Sequence, residues 1–201
     1  MTAKRDPTQS VIRVGKGGRG FAVNTFHDGL PLQALITAAH CLPRIPPAHP
    51  ARYSEEMTFK KLLGPLGTKP TVWTECLFAD VMADLAILRE PTHPDLYEQC
   101  NAYASMMDEM PPLKIADAPQ KGEKVQVLSL DGKWEIRTLT QRFGSGVAVD
   151  GGFRSGMSGS PVLSMDGKAI AVVSTDDWSP LLCSTLPAWF FRPKKRRGGA
   201  P

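Results

Sequence analysis

The sequence predicts an all-β protein built in two halves and closing with a helix. Three observations carry that expectation. The 201 residues hold 18 Gly and 18 Pro, punctuation that suits short strands joined by turns better than long helices. Apolar, β-branched runs recur at short spacing from Val11 to Leu88 and again from Val125 to Ser174. Between them, from Glu90 to Gln120, the pattern is lost and prolines stand at 91, 94, 111, 112 and 119. That stretch is the expected connection between two lobes sharing a core.

Taken in order, Val11–Val14 and Gly20–Phe26 are strands around a Gly15-Lys-Gly-Gly-Arg-Gly20 turn. Leu32–Thr37 is a further apolar run, followed by the small residues Ala38 and Ala39. The Pro-rich segment 43–50 is loop, because proline lacks the N–H that regular structure needs. Val72–Phe78 and Leu85–Leu88 are strand-like, with a turn over Ala79–Asp84. Leu96–Met107 can form a short helix within the connection. Val125–Leu130, Asp131-Gly132 and Trp134–Thr140 predict a hairpin, with Asp-Gly supplying the positive φ angles of a tight turn. Pro161–Met165, Asp166-Gly167 and Ala169–Ser174 predict a second. Leu181–Phe190 has the pattern of a terminal amphipathic helix, with Pro187 as the mark against it. The expected boundaries are an N-terminal segment 1–10, a first half 11–95, a connection 96–120, a second half 121–180, a helix 181–191 and a disordered basic tail 192–201.

Composition narrows the function classes. Hydrophobic residues at 42% and charged residues at 22% describe a folded globular chain rather than a disordered one. No apolar run approaches the roughly 18 residues of a membrane span. The net charge of +4 belongs to the tail: without Arg192, Lys194, Lys195, Arg196 and Arg197 the chain has 19 basic against 20 acidic residues. A solvated end is the favoured reading of that tail, a weak tether to an acidic partner the sharper one, and no nucleic-acid surface is expected. Cys41, Cys76, Cys100 and Cys183 are too widely spaced for a short metal-ligand pair, so no metal site and no other cofactor is implied. Residues 1–10 are polar and lack a secretory signal, which points to the cytoplasm and reduced thiols; a removed signal leaves a secreted or periplasmic location open.

Three local patterns carry chemistry. Leu35-Ile-Thr-Ala-Ala-His40-Cys41 ends an apolar strand in small residues and then a histidine. Ala83-Asp84-Leu85-Ala86-Ile87-Leu88 sets a carboxylate directly before an apolar strand; Asp80 lies nearby, but the strand following at once favours Asp84. Gly156-Met-Ser158-Gly-Ser160-Pro161 surrounds a serine with glycines, so the backbone can turn sharply while the hydroxyl projects. A histidine after a strand, an aspartate in a turn and a Gly/Ser turn are each commonly structural. Their order along one chain makes them persuasive together.

These segments resemble the three signatures of the chymotrypsin/trypsin-like serine peptidases, in the His, Asp, Ser order of that clan. Gly18-Arg-Gly20-Phe21-Ala-Val23 also resembles the opening strand of the bacterial HtrA-like branch, and no room remains here for an appended PDZ domain. The resemblance implies two six-stranded antiparallel β-barrels, a triad of His40, Asp84 and Ser158, and an oxyanion hole from the N–H groups of Gly156 and Ser158. It implies a polypeptide substrate, with Gly152 at the base of the primary pocket and Ser174, Thr175 and Asp176 on the substrate-pairing strand and pocket wall. Gly152 carries no acid, so Lys or Arg preference is not implied. Met157 stands where the digestive enzymes place the acid of their zymogen switch, so no activation by N-terminal cleavage is expected. Cys41 lacks the family's disulfide partner and is expected to be a small buried hydrophobe. The competing reading is a peptidase-fold module that binds extended peptides by strand addition, or one that a partner activates.

Overall fold

The computed structural model describes residues 6–27, 30–47, 56–116, 120–144, 146–174 and 182–186. The first lobe contains β1 (Val11–Val14), β2 (Gly18–His27), β3 (Leu30–Thr37), β4 (Thr58–Gly64), β5 (Val72–Asp80) and β6 (Leu85–Arg89). The second contains β7 (Lys124–Leu128), β8 (Trp134–Phe143), β9 (Gly146–Val149), β10 (Pro161–Ser164), β11 (Ala169–Val173) and β12 (Leu182–Thr185). Each set closes on itself, in the orders β1-β2-β3-β6-β5-β4 and β7-β8-β9-β12-β11-β10, and every pairing is antiparallel. Closure leaves neither sheet with an open edge. The connection holds α1 (Tyr97–Glu109), which buries Tyr103 and Met107. Gln33 of β3 donates to the carbonyls of Met107 and Met110 and so ties the end of α1 to the first barrel.

Three apolar clusters hold the molecule together. Ile12, Val14, Leu35, Phe59, Leu63 and Leu88 fill the first barrel. Val125, Val127, Leu139, Val147, Val162 and Ile170 fill the second. Phe21, Val23, Ile36 and Leu85 of the first barrel meet Leu128, Leu163 and Val172 of the second across a shared interface. The end of the connection stitches the two together: Leu113 N–H donates to Ala22 O, and Ala116 N–H to Ala169 O.

Two expectations are corrected. The helix expected over Leu181–Phe190 is replaced at Leu182–Thr185 by β12, whose pairing with β9 and β11 closes the second barrel. Residues 181 and 187–191 of that expectation, and the tail 192–201, lie outside the described residues. The Asp-Gly turns are three-residue loops rather than two-residue turns. Only Gly132 (φ +80°) and Gly167 (φ +83°) take positive φ, the pattern of a type I turn ending in a left-handed residue. Both loops are built alike. Ser129 and Ser164 bond to Asp131 and Asp166, and Lys133 and Lys168 pair with those same aspartates.

Candidate active site

β3 ends at Thr37, and the buried Ala38 and Ala39 let the chain press against the first barrel before a short 3₁₀ turn lifts His40 to the surface. Asp84 meets it from the turn between β5 and β6. The neighbouring candidate, Asp80, instead accepts the N–H groups of Met82 and Ala83, so it shapes the turn that delivers Asp84. Asp84 has φ +47°, a left-handed conformation that aspartate tolerates better than most residues and that still carries strain. A dense set of bonds holds it there. Oδ1 accepts the His40 N–H at 2.9 Å, Oδ2 accepts His40 Nδ1–H at 2.7 Å and Ser174 Oγ–H at 2.5 Å, and its carbonyl accepts Ala39 N–H at 3.2 Å. The imidazole is thereby fixed with Nδ1 toward Asp84, and His40 lines the cleft.

The electrostatics follow from these bonds. Accepting the Nδ1 proton, Asp84 raises the His40 pKa well above the ordinary imidazole value, and the adjacent Cys41 thiol adds to the rise. Burial pushes the Asp84 carboxyl up, but the hydrogen bonds from His40 and Ser174 outweigh it and hold the group below its usual value. Asp84 therefore stays ionised, ready to balance a proton on the ring.

Ser158 comes from the other barrel, on the loop between β9 and β10. Gly156 has φ +92°, and an added Cβ would lie 3.3 Å from Leu130. Glycine is the residue that this turn accommodates. The loop is pinned where Met157 N–H donates to Arg154 O, Gly159 N–H to Val173 O and Ser160 N–H to Met157 O. The N–H groups of Gly156 and Ser158 make no hydrogen bond among the described residues. Ser158 and His40 line one cleft together with Gly18, Cys41, Ser155 and Gly156. No hydrogen bond joins the two side chains, and such contacts commonly tighten only in a complex with substrate. The arrangement offers a hydroxyl, a base oriented by a carboxylate and two unengaged backbone donors around one space. That is the equipment for acyl transfer.

Sequence reasoning missed the group that couples the halves of this site. Arg19 of β2 is 7% exposed, and its guanidinium donates to the carbonyls of Leu128 and Ser129 and to Ser160 Oγ. Its backbone N–H donates to Ser158 O at 2.7 Å, and its carbonyl accepts Thr37 Oγ–H at 2.7 Å. An added Cβ on Gly159 would sit 1.9 Å from that carbonyl. Burial lowers the Arg19 pKa, and no carboxylate pairs with it among the described residues. A charged residue between two glycines inside a strand pattern was the available signal.

The remaining candidates separate. Ser174 was expected on the substrate-pairing strand, and its side chain is turned to Asp84. Gly152 lines a different depression with Met157 and Phe153, where Arg137 donates to its carbonyl at 2.6 Å. Thr175, Asp176 and Asp177 lie outside the described residues. Met157 is 2% exposed and packs into the second-barrel core, so apolar burial anchors the Ser158 loop at the position where the resemblance would place an acid. Cys41 is half-buried at the cleft rather than fully enclosed, and an added Cβ on Gly18 would lie 2.4 Å from its sulfur. All four cysteines are free thiols. Among the described residues no three His, Cys, Asp or Glu side chains gather as metal ligands, and no helix is long and apolar enough to cross a membrane.

No protein-family model and no curated protein sequence matches the chain. Solved structures do. A serine protease of a human pathogenic astrovirus superposes with TM-score 0.56 at 15% identity, covering 94% of this chain and 96% of that one. The Rv3671c protease of M. tuberculosis in its inactive form gives 0.53 at 16%, covering 89% and 84%. The MamO protease domain of Magnetospirillum magneticum gives 0.52 at 13%, covering 91% and 94%. The likeness is one of fold: two closed six-stranded barrels in the chymotrypsin-like arrangement.

Proposed function

From this protease fold and the cleft between its barrels, we propose that the chain is a serine endopeptidase that hydrolyses peptide bonds through an acyl-enzyme. The observation that supports the reading most is the Asp84–His40 hydrogen bond at the mouth of the cleft that holds Ser158. His40 Nε2 takes the proton of Ser158 Oγ as it attacks the scissile carbonyl. The N–H groups of Gly156 and Ser158 receive the oxyanion. Asp84 stays ionised and steadies the imidazolium, which then gives its proton to the leaving amine. Water repeats the sequence on the acyl-enzyme and frees the acid product. Polypeptides are the substrate class, and no cofactor takes part in any of these steps.

Labelling with a fluorophosphonate tests this directly. The parent chain should be modified at Ser158, and Ser158→Ala should not. A chain that resists the probe under all conditions yet binds extended peptides would be the binding module instead.

A further inference from the structure

Beyond His40 and Ser158 the cleft continues along the 15–18 turn, β4 and the 69–70 segment, with a volume of about 820 Å³. Arg13, Lys16, Lys60, Lys61 and Lys69 line it, and among the described residues no carboxylate does. None of the five is in an ion pair among the described residues. The concentration is local, since the chain without its tail has 19 basic against 20 acidic residues.

The strand geometry displays these charges. In β4, Phe59 pairs with Thr74 and Leu63 with Val72, so four steps on one strand face two on the other. Regular alternation would turn Lys61 inward with Phe59. A bulge, with Lys61 at φ +51°, instead exposes both Lys60 and Lys61 while Leu62 and Leu63 are buried. A lysine in left-handed backbone is strained, and such strain gathers where a surface is used. Arg13 is fixed by the carbonyls of Gly15, Lys16 and Thr68, which orient its guanidinium without cancelling its charge. Lys60 lies over the Trp73 ring at 5.0 Å.

Direction along the substrate follows from what the cleft omits. The resemblance puts the residues before the scissile bond along the strand that leaves Ser174, and neither Ser174 nor Gly152 lines this cleft. The basic walls therefore face the leaving side. We propose that the chain selects peptides carrying Asp or Glu in the first few positions after the scissile bond, with Arg13, Lys16, Lys60, Lys61 and Lys69 as the specificity determinants. This rests on the peptidase reading and names its substrate class.

Two measurements keep the readings apart. Fluorophosphonate labelling of Ser158 tests catalysis alone. The cleft is tested by sequencing the products of a random peptide library. Asp and Glu should be enriched after the cut by roughly three- to tenfold over Asn and Gln, and the enrichment should shrink as salt is raised. Lys60→Glu with Lys61→Glu, shown to be folded by its far-UV spectrum, should reverse the preference toward Lys and Arg, and Lys60→Gln with Lys61→Gln should flatten it. Equal use of Asp and Asn, or a profile unchanged by both double variants, overturns the proposal. If the probe does not label, Ser158→Ala is titrated with a dye-labelled Glu-rich peptide and its Gln analogue, and equal affinity overturns it too. A single-stranded oligonucleotide that displaces the Glu-rich peptide at lower concentration than unlabelled peptide does would assign the cleft to nucleic acid.

Discussion

Asp84 accepts four hydrogen bonds, two from His40, one from Ser174 and one from Ala39, and each has a consequence that can be measured. In the proposed mechanism the neutral imidazole is the base, and its pKa is raised in this site. The acid limb of the labelling rate against pH should therefore lie above the ordinary imidazole value of about 6.5, with the rate growing as pH rises through it. Asp84→Asn removes the cause of the rise and also reverses the favoured ring tautomer. Its limb should fall to lower pH, and its rate by about 10⁴-fold. Ser174→Ala acts in the opposite sense. The carboxylate keeps more charge for His40 once the hydroxyl is gone, so the limb should move to higher pH, with a modest loss of rate. A pH profile of Ser174→Ala that overlays the parent would show that this hydroxyl does not tune the pair.

At the scale of elements, the Ser158 turn and β2 are fitted to each other through Gly159 and Arg19. Gly159→Ala would drive a methyl group into the Arg19 carbonyl and force the Ser158 loop outward. Displacement of about 1 Å costs on the order of 10²-fold in reactivity, so labelling should fall by about that factor. A parent-like rate would mean that β2 yields freely. Arg19→Met strips partners from the carbonyls of Leu128 and Ser129 and should destabilise by about 1–3 kcal/mol, read from denaturant unfolding. The same scale explains which parts of the fold were legible. β1, β3, β6, β7 and β11 announce themselves by β-branched or apolar runs. β4 did not, because the Lys60-Lys61 bulge breaks its alternation. β9 is only four residues long and has Gly151 and Gly152 soon after it. β12 reads as helix in the sequence because its short apolar run suits either period, and only the partners β9 and β11, distant in sequence, decide between them. Within the site, His40, Asp84 and Ser158 were legible because small or glycine neighbours betray the local turns that present them. Arg19 and the basic cleft were not, because their meaning depends on which strands face them.

Across the whole molecule, the proposed chemistry is divided between barrels: His40 and Asp84 stand on the first, Ser158 and Gly156 on the second. Neither barrel holds a complete site, so reactivity reports on docking as well as on the integrity of each barrel. The docking surface is an apolar cluster comparable to the barrel cores, with Phe21, Leu128 and Leu163 fully buried in it. Its cohesion should make the two barrels unfold together, so loss of Ser158 labelling and loss of the far-UV signal should coincide in a urea titration. Phe21 is the largest fully buried side chain in that cluster, and Phe21→Ala should cost about 3–5 kcal/mol through lost burial and the cavity it leaves. Because the loss falls on the interface, labelling should now disappear at lower urea than the far-UV signal, as docked barrels give way to separated ones. A buried side chain inside one barrel, such as Leu139, makes the contrasting control: Leu139→Ala should weaken that barrel and shift both signals. If Phe21→Ala also moved both signals in step, the barrels would be a single cooperative unit, and the site would be lost only when the whole chain unfolds.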